Sequence, residues 1–418
     1  MKTKTGIAAF VLTVAFAAAT APPAFAAGHV HPNMAIEWNQ TMLTSFAAAN
    51  VAPAAANRLA GVIAAATFDA VNGIERGYTP IHVEPAGDPE ASPEAAAATA
   101  TYTALLAAFP AQKPALDAAL ASSLATLEDD ASDQSIALGE AWGASVGAQI
   151  MAWRAGDGFN ATPPPYTFLT AAGQWQPTPG PTTGAPRFRT LATTAPFALT
   201  SPSELRPGGP QGLTSARYAT DLTELIQLGG ATSATRTPLQ TETARFWQLD
   251  TPPAQWDRVA DTLAMEHHLN LMKTARLLAL VNISLADAII AVFDAKNFYN
   301  FWRPVTAIAG IDPLWQPLLI TPYFQEYPSA HAGVSSAAAT ILASFFGENT
   351  SFTVTSSGLP GAERSFTSFD PAVAQVSDAR VWAGFHFRFS CDDGSALGRQ
   401  VAETVEARLM VKTSEGDD

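Results

Sequence analysis

Apolar residues recur at intervals of three and four along most of the chain, a spacing typical of amphipathic α-helices. Alternating strand patterns are few, and SFTVTSS at 351–357 is the best of them. Alanine fills many helical positions, where it loses little entropy and lets helices approach closely. The pattern predicts helices over 35–74 with a break at 51–53, 92–122, 131–155, 215–229, 238–248, 254–281, 284–298, 331–346, 371–382 and 393–412. We therefore expect an all-α fold of compact helical bundles.

The helical pattern stops between residues 156 and 213, where Pro, Gly and Thr are dense. Such a segment is either a linker between two domains or an irregular excursion over one core. Trp175, Phe188 and Phe197 are available to anchor it by packing. We favour a single α-helical domain over 27–418 that carries this Pro/Gly-rich excursion.

Residues 1–26 have the pattern of a secretory signal peptide: Lys2 and Lys4, an apolar stretch, and a small-x-small site at Ala24–Ala26. A membrane anchor is the alternative, but two prolines follow the apolar stretch directly. We expect a secreted or periplasmic protein with no membrane span after signal removal. The apolar stretch at 275–293 contains Asp287 and other polar residues, so it reads as a buried bundle helix.

The net charge of the chain is -14, with 37 acidic and 23 basic residues. A basic face is needed to release counterions from nucleic acid, so we expect no nucleic-acid partner. Cys391 is the single cysteine, which excludes an internal disulfide. Because 48% of residues are hydrophobic and only 14% charged, a homodimer is plausible.

Three short stretches in the last third concentrate polar residues that suit anion chemistry. They are KNFYNFWRP with Lys296 and Arg303, YPSAH with Ser329 and His331, and ARVWAGFH with Arg380 and His386. Two helical turns would place Lys296 and Arg303 on one face, with the helix ending at Arg303 before Pro304. Ser329 suits an N-cap, which would leave the amides of Ala330 and His331 free. A break at Gly384 would let Arg380 and His386 turn toward one pocket.

Together these residues supply three cations, a hydroxyl, free amides and two imidazoles. That set matches the needs of a tetrahedral oxyanion such as phosphate or vanadate. Taken singly, each stretch has a plainer interpretation. The Lys–Arg pair is a solvated helix face, and Pro-Ser-x-His is only a helix start. Their joint occurrence in order favours a site.

The ordered set K-x6-RP, PSxH and R-x5-H resembles the signature of the type 2 phosphatidic acid phosphatase and vanadium-dependent haloperoxidase superfamily. The stretches NFWRPVTAI, TPYFQEYPSAHAG and ARLLALVNISLADA are similar to its secreted bacterial haloperoxidase branch. This resemblance covers nearly all of 27–418 and implies one compact helical unit.

The resemblance also implies a role for each site residue. His386 matches the histidine that binds vanadium or attacks phosphorus, and His331 matches the acid–base histidine. Lys296, Arg303 and Arg380 match the cations around the oxyanion, with Ser329 and the Ala330 amide as further donors.

The chain departs from the family pattern at three positions, one of which is Ala379, where a serine usually precedes the second arginine. Ala330 replaces a usual glycine and would be strained at positive φ. Ser390 stands where an acid sometimes orients the metal-binding histidine. Asp287 and Asp294 are candidates to brace an arginine, or are ordinary helix charges.

The resemblance implies a vanadate-dependent peroxidase that oxidises halide with hydrogen peroxide to hypohalous acid, with a small organic acceptor as a further partner. Phe293, Trp302 and Phe324 would shape a halide pocket, or are plain core. An exported acid phosphatase with a phosphohistidine intermediate is the first alternative, and phosphate would occupy the same site in the absence of vanadium. A non-catalytic helical scaffold is the second alternative.

Overall fold

The computed structural model describes residues 33–413, which confirm the expected all-α fold. These residues form thirteen helices, α1 to α13, and one hairpin of strands β1 and β2. The helices are Met34–Ala48, Pro53–Glu75, Pro93–Ala108, Lys113–Ala125, Asp133–Ala155, Ala216–Leu228, Pro238–Phe246, Pro252–Glu266, Leu271–Tyr299, Pro304–Ala309, Ala330–Phe346, Phe369–Trp382 and Arg388–Arg408. The strands are Phe352–Thr355 and Glu363–Phe366, paired antiparallel. β1 lies within the predicted strand, whereas β2 was not foreseen. The proposed signal peptide, residues 1–26, lies outside the described residues.

The predicted break at 282–283 is wrong, because α9 runs without interruption from Leu271 to Tyr299. Asn282 is accommodated inside it: its amide donates to Asp257 Oδ1 at 2.8 Å and to the Leu278 carbonyl at 3.0 Å. The actual break follows α8, where His268 adopts a left-handed φ of 51°. Asn270 then caps α9 by accepting from the Lys273 amide.

α9 is a central helix of the bundle, and its side chains are almost all buried from Leu277 to Lys296. It packs against α2, α11 and α13. Within residues 33–413 it is the one helix long and apolar enough to cross a membrane, and its apolar window is entirely buried in the protein. It is therefore the buried bundle helix that the sequence predicts.

Glycines allow α11 and α13 to cross at close range. A Cβ on Gly398 would lie 1.9 Å from the Gly333 carbonyl oxygen, and one on Gly394 would lie 2.5 Å from that of Ser329. The Ser329 amide donates to the Ser390 carbonyl at 2.9 Å. This crossing brings the start of α11 to the start of α13, which begins at Arg388 rather than at the predicted 393.

The segment at 156–213 packs on α9 through two carboxylates. Asp287 accepts the backbone amides of Phe197 at 2.7 Å and Ala198 at 2.8 Å, and that of Leu199. Asp294 binds both Nε and Nη2 of Arg206, at 2.6 and 2.8 Å. Asp294 thus braces an arginine, but one in the excursion rather than in the predicted site, and Asp287 braces none. Their common role is to hold the excursion against the core.

Candidate anion-binding site

Lys296 and Arg303 are both buried, but they do not share a helix face as predicted. α9 ends at Tyr299, and Asn300 turns the chain with a left-handed φ of 48°. Arg303 is then the N-cap of the short helix α10. Asparagine adopts the left-handed region more readily than most residues, so it suits this turn. The turn, rather than two stacked helical turns, brings the two cations into one pocket.

The Lys296 ammonium is saturated by the loop before α11. It donates to the carbonyl oxygens of Gln325 at 3.0 Å, Glu326 at 2.6 Å and Pro328 at 2.6 Å. Three donors therefore meet three acceptors. Lys296 contributes positive charge to the site and fixes the loop that carries Ser329.

Arg303 reaches the other side of the pocket. Its Nε donates to the Phe324 carbonyl at 2.8 Å, and its Nη1 donates to the Phe385 carbonyl at 3.0 Å. The same Nη1 lies 3.1 Å from Nε2 of His386. Its Nη2 is buried and has no hydrogen-bond partner.

Arg380 and His386 meet through a turn after α12, as the sequence predicts. Gly384 has a φ of +80°. A Cβ there would also lie 2.6 Å from the Gly229 carbonyl oxygen. Arg380 Nη2 donates to Gln248 Oε1 at 2.8 Å. Its Nε and Nη1 are buried without a partner.

Ser329 caps α11, as predicted, with φ -69° and ψ 121°. Its hydroxyl makes no capping bond and is buried without a partner. Ala330 is the first residue of the helix and does not have a positive φ, so the strain considered at this position does not arise. The amides of Ala330 and His331, being in the first turn, have no intrahelical acceptor.

A carboxylate that the sequence analysis missed orients His386. Glu326 is fully buried, and its Oε1 accepts from His386 Nδ1 at 2.8 Å and from the Phe387 amide at 3.1 Å. A proton on Nδ1 leaves the lone pair on Nε2, which faces Arg303. Glu326 therefore does the work of the acid absent at Ser390. The motif FQEYPSAH placed it three residues before Ser329, but nothing local linked it to His386.

Burial and mutual repulsion control the protonation of the site. Burial, then Arg303 and Lys296, hold the pKa of His386 well below its usual range. Burial and Arg380 do the same to the pKa of His331. Burial lowers the pKa of Arg303 to about 9, while it raises the pKa of Glu326 to about 7. Both histidines are therefore neutral at ordinary pH, and a bound anion would reduce the repulsion among the neighbouring cations.

The unpartnered buried donors identify what the pocket fits. Arg303 Nη2, Arg380 Nε and Nη1, and the Ser329 hydroxyl are all without acceptors. Buried polar groups are normally hydrogen-bonded, so a missing acceptor is the simplest explanation. Among residues 33–413 no cluster of three or more His, Cys, Asp or Glu could hold a metal cation. The donor set fits an oxyanion, vanadate included.

A cavity of about 310 Å³ adjoins this pocket at His331. Phe293 and Phe324, two of the three aromatic residues predicted to shape a halide pocket, lie in its wall. Trp302 does not line it; the indole nitrogen of Trp302 is buried without a partner. His331 is only half-buried, whereas His386 is 2% exposed.

Comparison with known proteins gives consistent matches. The family described as the VCPO second helical-bundle domain matches residues 276–313 and 309–414, which contain all seven predicted site residues. A vanadium chloroperoxidase of Curvularia inaequalis is 28% identical over 176 residues. That match covers 34% of this chain and 28% of the length of the relative.

Solved structures extend the similarity to most of the chain. The crystal structure of a bacterial vanadium-dependent iodoperoxidase superposes with a TM-score of 0.81 at 26% identity, over 92% of this chain and 98% of that one. The holo form of a bacterial vanadium-dependent chloroperoxidase superposes with a TM-score of 0.67 at 17% identity, over 85% of this chain and 91% of that one. The second similarity shows the fold.

Proposed function

We propose that the protein is a vanadium-dependent haloperoxidase, which binds vanadate and oxidises halide with hydrogen peroxide to hypohalous acid. The observation that carries the proposal is the set of unpartnered donors on Arg303, Arg380 and Ser329, gathered beside two neutral histidines. The similarity to an iodoperoxidase over most of the chain supports the same activity.

His386 would hold vanadium through Nε2, the nitrogen that carries the lone pair. Arg303, Arg380, Ser329 and the amide of Ala330 would donate to the vanadate oxygens, with Lys296 adding charge. Bound vanadium(V) supplies a Lewis acid that activates hydrogen peroxide toward halide without changing oxidation state. Glu326 keeps the proton on Nδ1 of His386, so that Nε2 stays available.

His331 would move the proton. Its imidazole is neutral because burial and Arg380 lower its pKa, and it is partly exposed on the cavity wall. It can accept a proton from entering hydrogen peroxide and return it to the water that leaves. The overall reaction consumes halide, hydrogen peroxide and one proton, and it releases hypohalous acid and water.

The experiment supplies metal-free protein with orthovanadate and hydrogen peroxide and follows iodide, bromide and chloride oxidation. We expect vanadate-dependent oxidation, with iodide the easiest halide to oxidise. A parallel assay without vanadate measures hydrolysis of a phosphate monoester. Phosphate release without halide oxidation would establish the phosphatase alternative. Failure of both, with no anion bound, would establish the scaffold. Phosphate would compete with vanadate for the same donors, and this competition is measured by dialysis.

Two further expectations stay predictions. The apolar stretch and small-x-small site within residues 1–26 support export, which N-terminal sequencing of the mature protein checks. Exposed apolar side chains such as Leu314, 88% exposed, support a homodimer. Light scattering in solution measures its mass.

A further inference from the structure

The cavity beside His331 has the walls of a site for an organic molecule. Its volume of about 310 Å³ lies at the lower end of the range for ligand pockets, roughly 300–1,000 Å³. Three phenylalanines form a connected wall: Phe293 and Phe324 have ring centroids 5.2 Å apart, and Phe188 lies 5.9 Å from Phe293. Ile289 and Val334 add aliphatic surface. A halide ion or a molecule of hydrogen peroxide would cover only a small part of these walls.

This cavity touches the anion-binding site at three residues, one of which is Ala330 at the start of α11. His331 and Gln248 both line it, and Gln248 accepts from Arg380. The ring of Phe324 lies between the cavity and the cations, with the Arg303 guanidinium 4.9 Å from its centroid. A molecule held in the cavity would therefore lie next to the place where hypohalous acid forms.

The cavity wall carries no acidic side chain, although the protein as a whole is acidic, with 37 Asp and Glu residues. Arg187 is its one permanently charged lining residue; it is exposed, and its guanidinium lies 5.1 Å from the Phe188 ring centroid. Within residues 33–413 no carboxylate forms an ion pair with Arg187. An anionic group on a ligand would gain a partner here.

We propose that this cavity binds an electron-rich aromatic carboxylate as the halogen acceptor, with its ring against the phenylalanines and its carboxylate at Arg187. The inference rests on the proposed function, which supplies the hypohalous acid. A ring carbon takes the halogen from hypohalous acid. The ring proton then leaves with the hydroxide as water, so atoms and electrons balance. The aromatic wall provides edge and face contacts for the ring.

The test measures binding without turnover. Calorimetry compares 4-hydroxyphenylacetate with its neutral amide, 4-hydroxyphenylacetamide, on the full chain and on Arg187→Gln. We expect the carboxylate to bind about 2- to 5-fold more tightly than the amide, as for a solvent-exposed ion pair. Arg187→Gln should remove that preference without changing amide binding. Arg399→Gln, which alters another exposed arginine (54% exposed) that does not line the cavity, should retain it.

Product analysis assigns the acceptor role. With the vanadate-loaded enzyme, the ratio of halogenated isomers should differ from that made by free hypohalous acid. Val334→Phe, which narrows the cavity, should return the ratio to that of free reagent; a thermal melt verifies its folding. Equal affinity for carboxylate and amide would overturn the inference even if iodide is oxidised. Carboxylate-selective binding without halide oxidation would overturn the proposed function and, with it, the acceptor role.

Discussion

Replacing Glu326 by glutamine tests how the fold prepares His386. Glutamine keeps an oxygen that can accept from His386 Nδ1, now 2.8 Å from the carboxylate, and from the Phe387 amide. The shape is preserved while the negative charge is removed. Two opposing effects follow. The imidazole becomes a weaker donor of its Nε2 lone pair, while the pocket becomes more positive and attracts any anion more strongly.

Comparing the affinities of two anions separates the weaker Nε2 donor from the more positive pocket. Loss of a partner that orients a metal ligand typically costs about 10- to 100-fold in affinity. Sulfate takes no nitrogen ligand, so it forms no coordinate bond to a histidine and its affinity reflects only the electrostatic gain. We therefore expect the ratio of vanadate to sulfate affinity to fall at least about tenfold in Glu326→Gln. Equilibrium dialysis with elemental analysis measures both affinities, and a thermal melt verifies folding. An unchanged ratio would refute the role assigned to Glu326 and reduce it to a buried charge.

Two further changes test the fold. Gly398→Ala would place a Cβ 1.9 Å from the Gly333 carbonyl oxygen, so we expect a loss of about 3 kcal/mol or more in the free energy of unfolding. The control is Gly77→Ala, where the added Cβ meets nothing within 4 Å, so the free energy of unfolding should change little. Denaturant melts in which both variants lose the same stability would contradict the α11–α13 contact. Burial raises the pKa of Asp261 to about 7, so the folded state prefers the protonated carboxyl, and stability is lost as pH rises from about 4 through 7. The wild type loses stability between pH 5 and the folded pKa of about 7, at about 1.4 kcal/mol per pH unit, and Asp261→Asn does not. Between pH 5 and pH 8 the variant should therefore gain about 3 kcal/mol in free energy of unfolding relative to wild type. Melts in which the two proteins change in parallel with pH would contradict this.

The fold class and most helices followed from the three- and four-residue spacing, because burying one face of each helix is a local property of the sequence. The break near Asn282 did not follow, because its amide is satisfied by Asp257 on another helix. A polar residue inside an apolar run looks like an interruption until its partner is known. The same limit applies to Asp287, because its carboxylate accepts from backbone amides of the excursion about 90 residues away.

The candidate site divides in the same way. Three motifs identified the cations, the serine and both histidines, since each motif contains its own turn or cap signal. Glu326 and Gln248 were missed because they act on residues 60 and 132 positions away. Lys296 was predicted as one of the cations around the oxyanion, but its hydrogen bonds to three backbone carbonyls were not foreseen. Such contacts depend on how the loop before α11 closes, and no spacing rule foretells them.

The central claim is that His386 holds vanadium in a pocket of buried donors. Equilibrium dialysis of orthovanadate against the full chain and His386→Ala tests it most directly. We expect about one vanadium per wild-type chain and a loss of affinity of at least about 100-fold in the variant, as for removal of a metal ligand with its charge-assisted bonds. Tight binding of vanadate by folded His386→Ala would contradict the account.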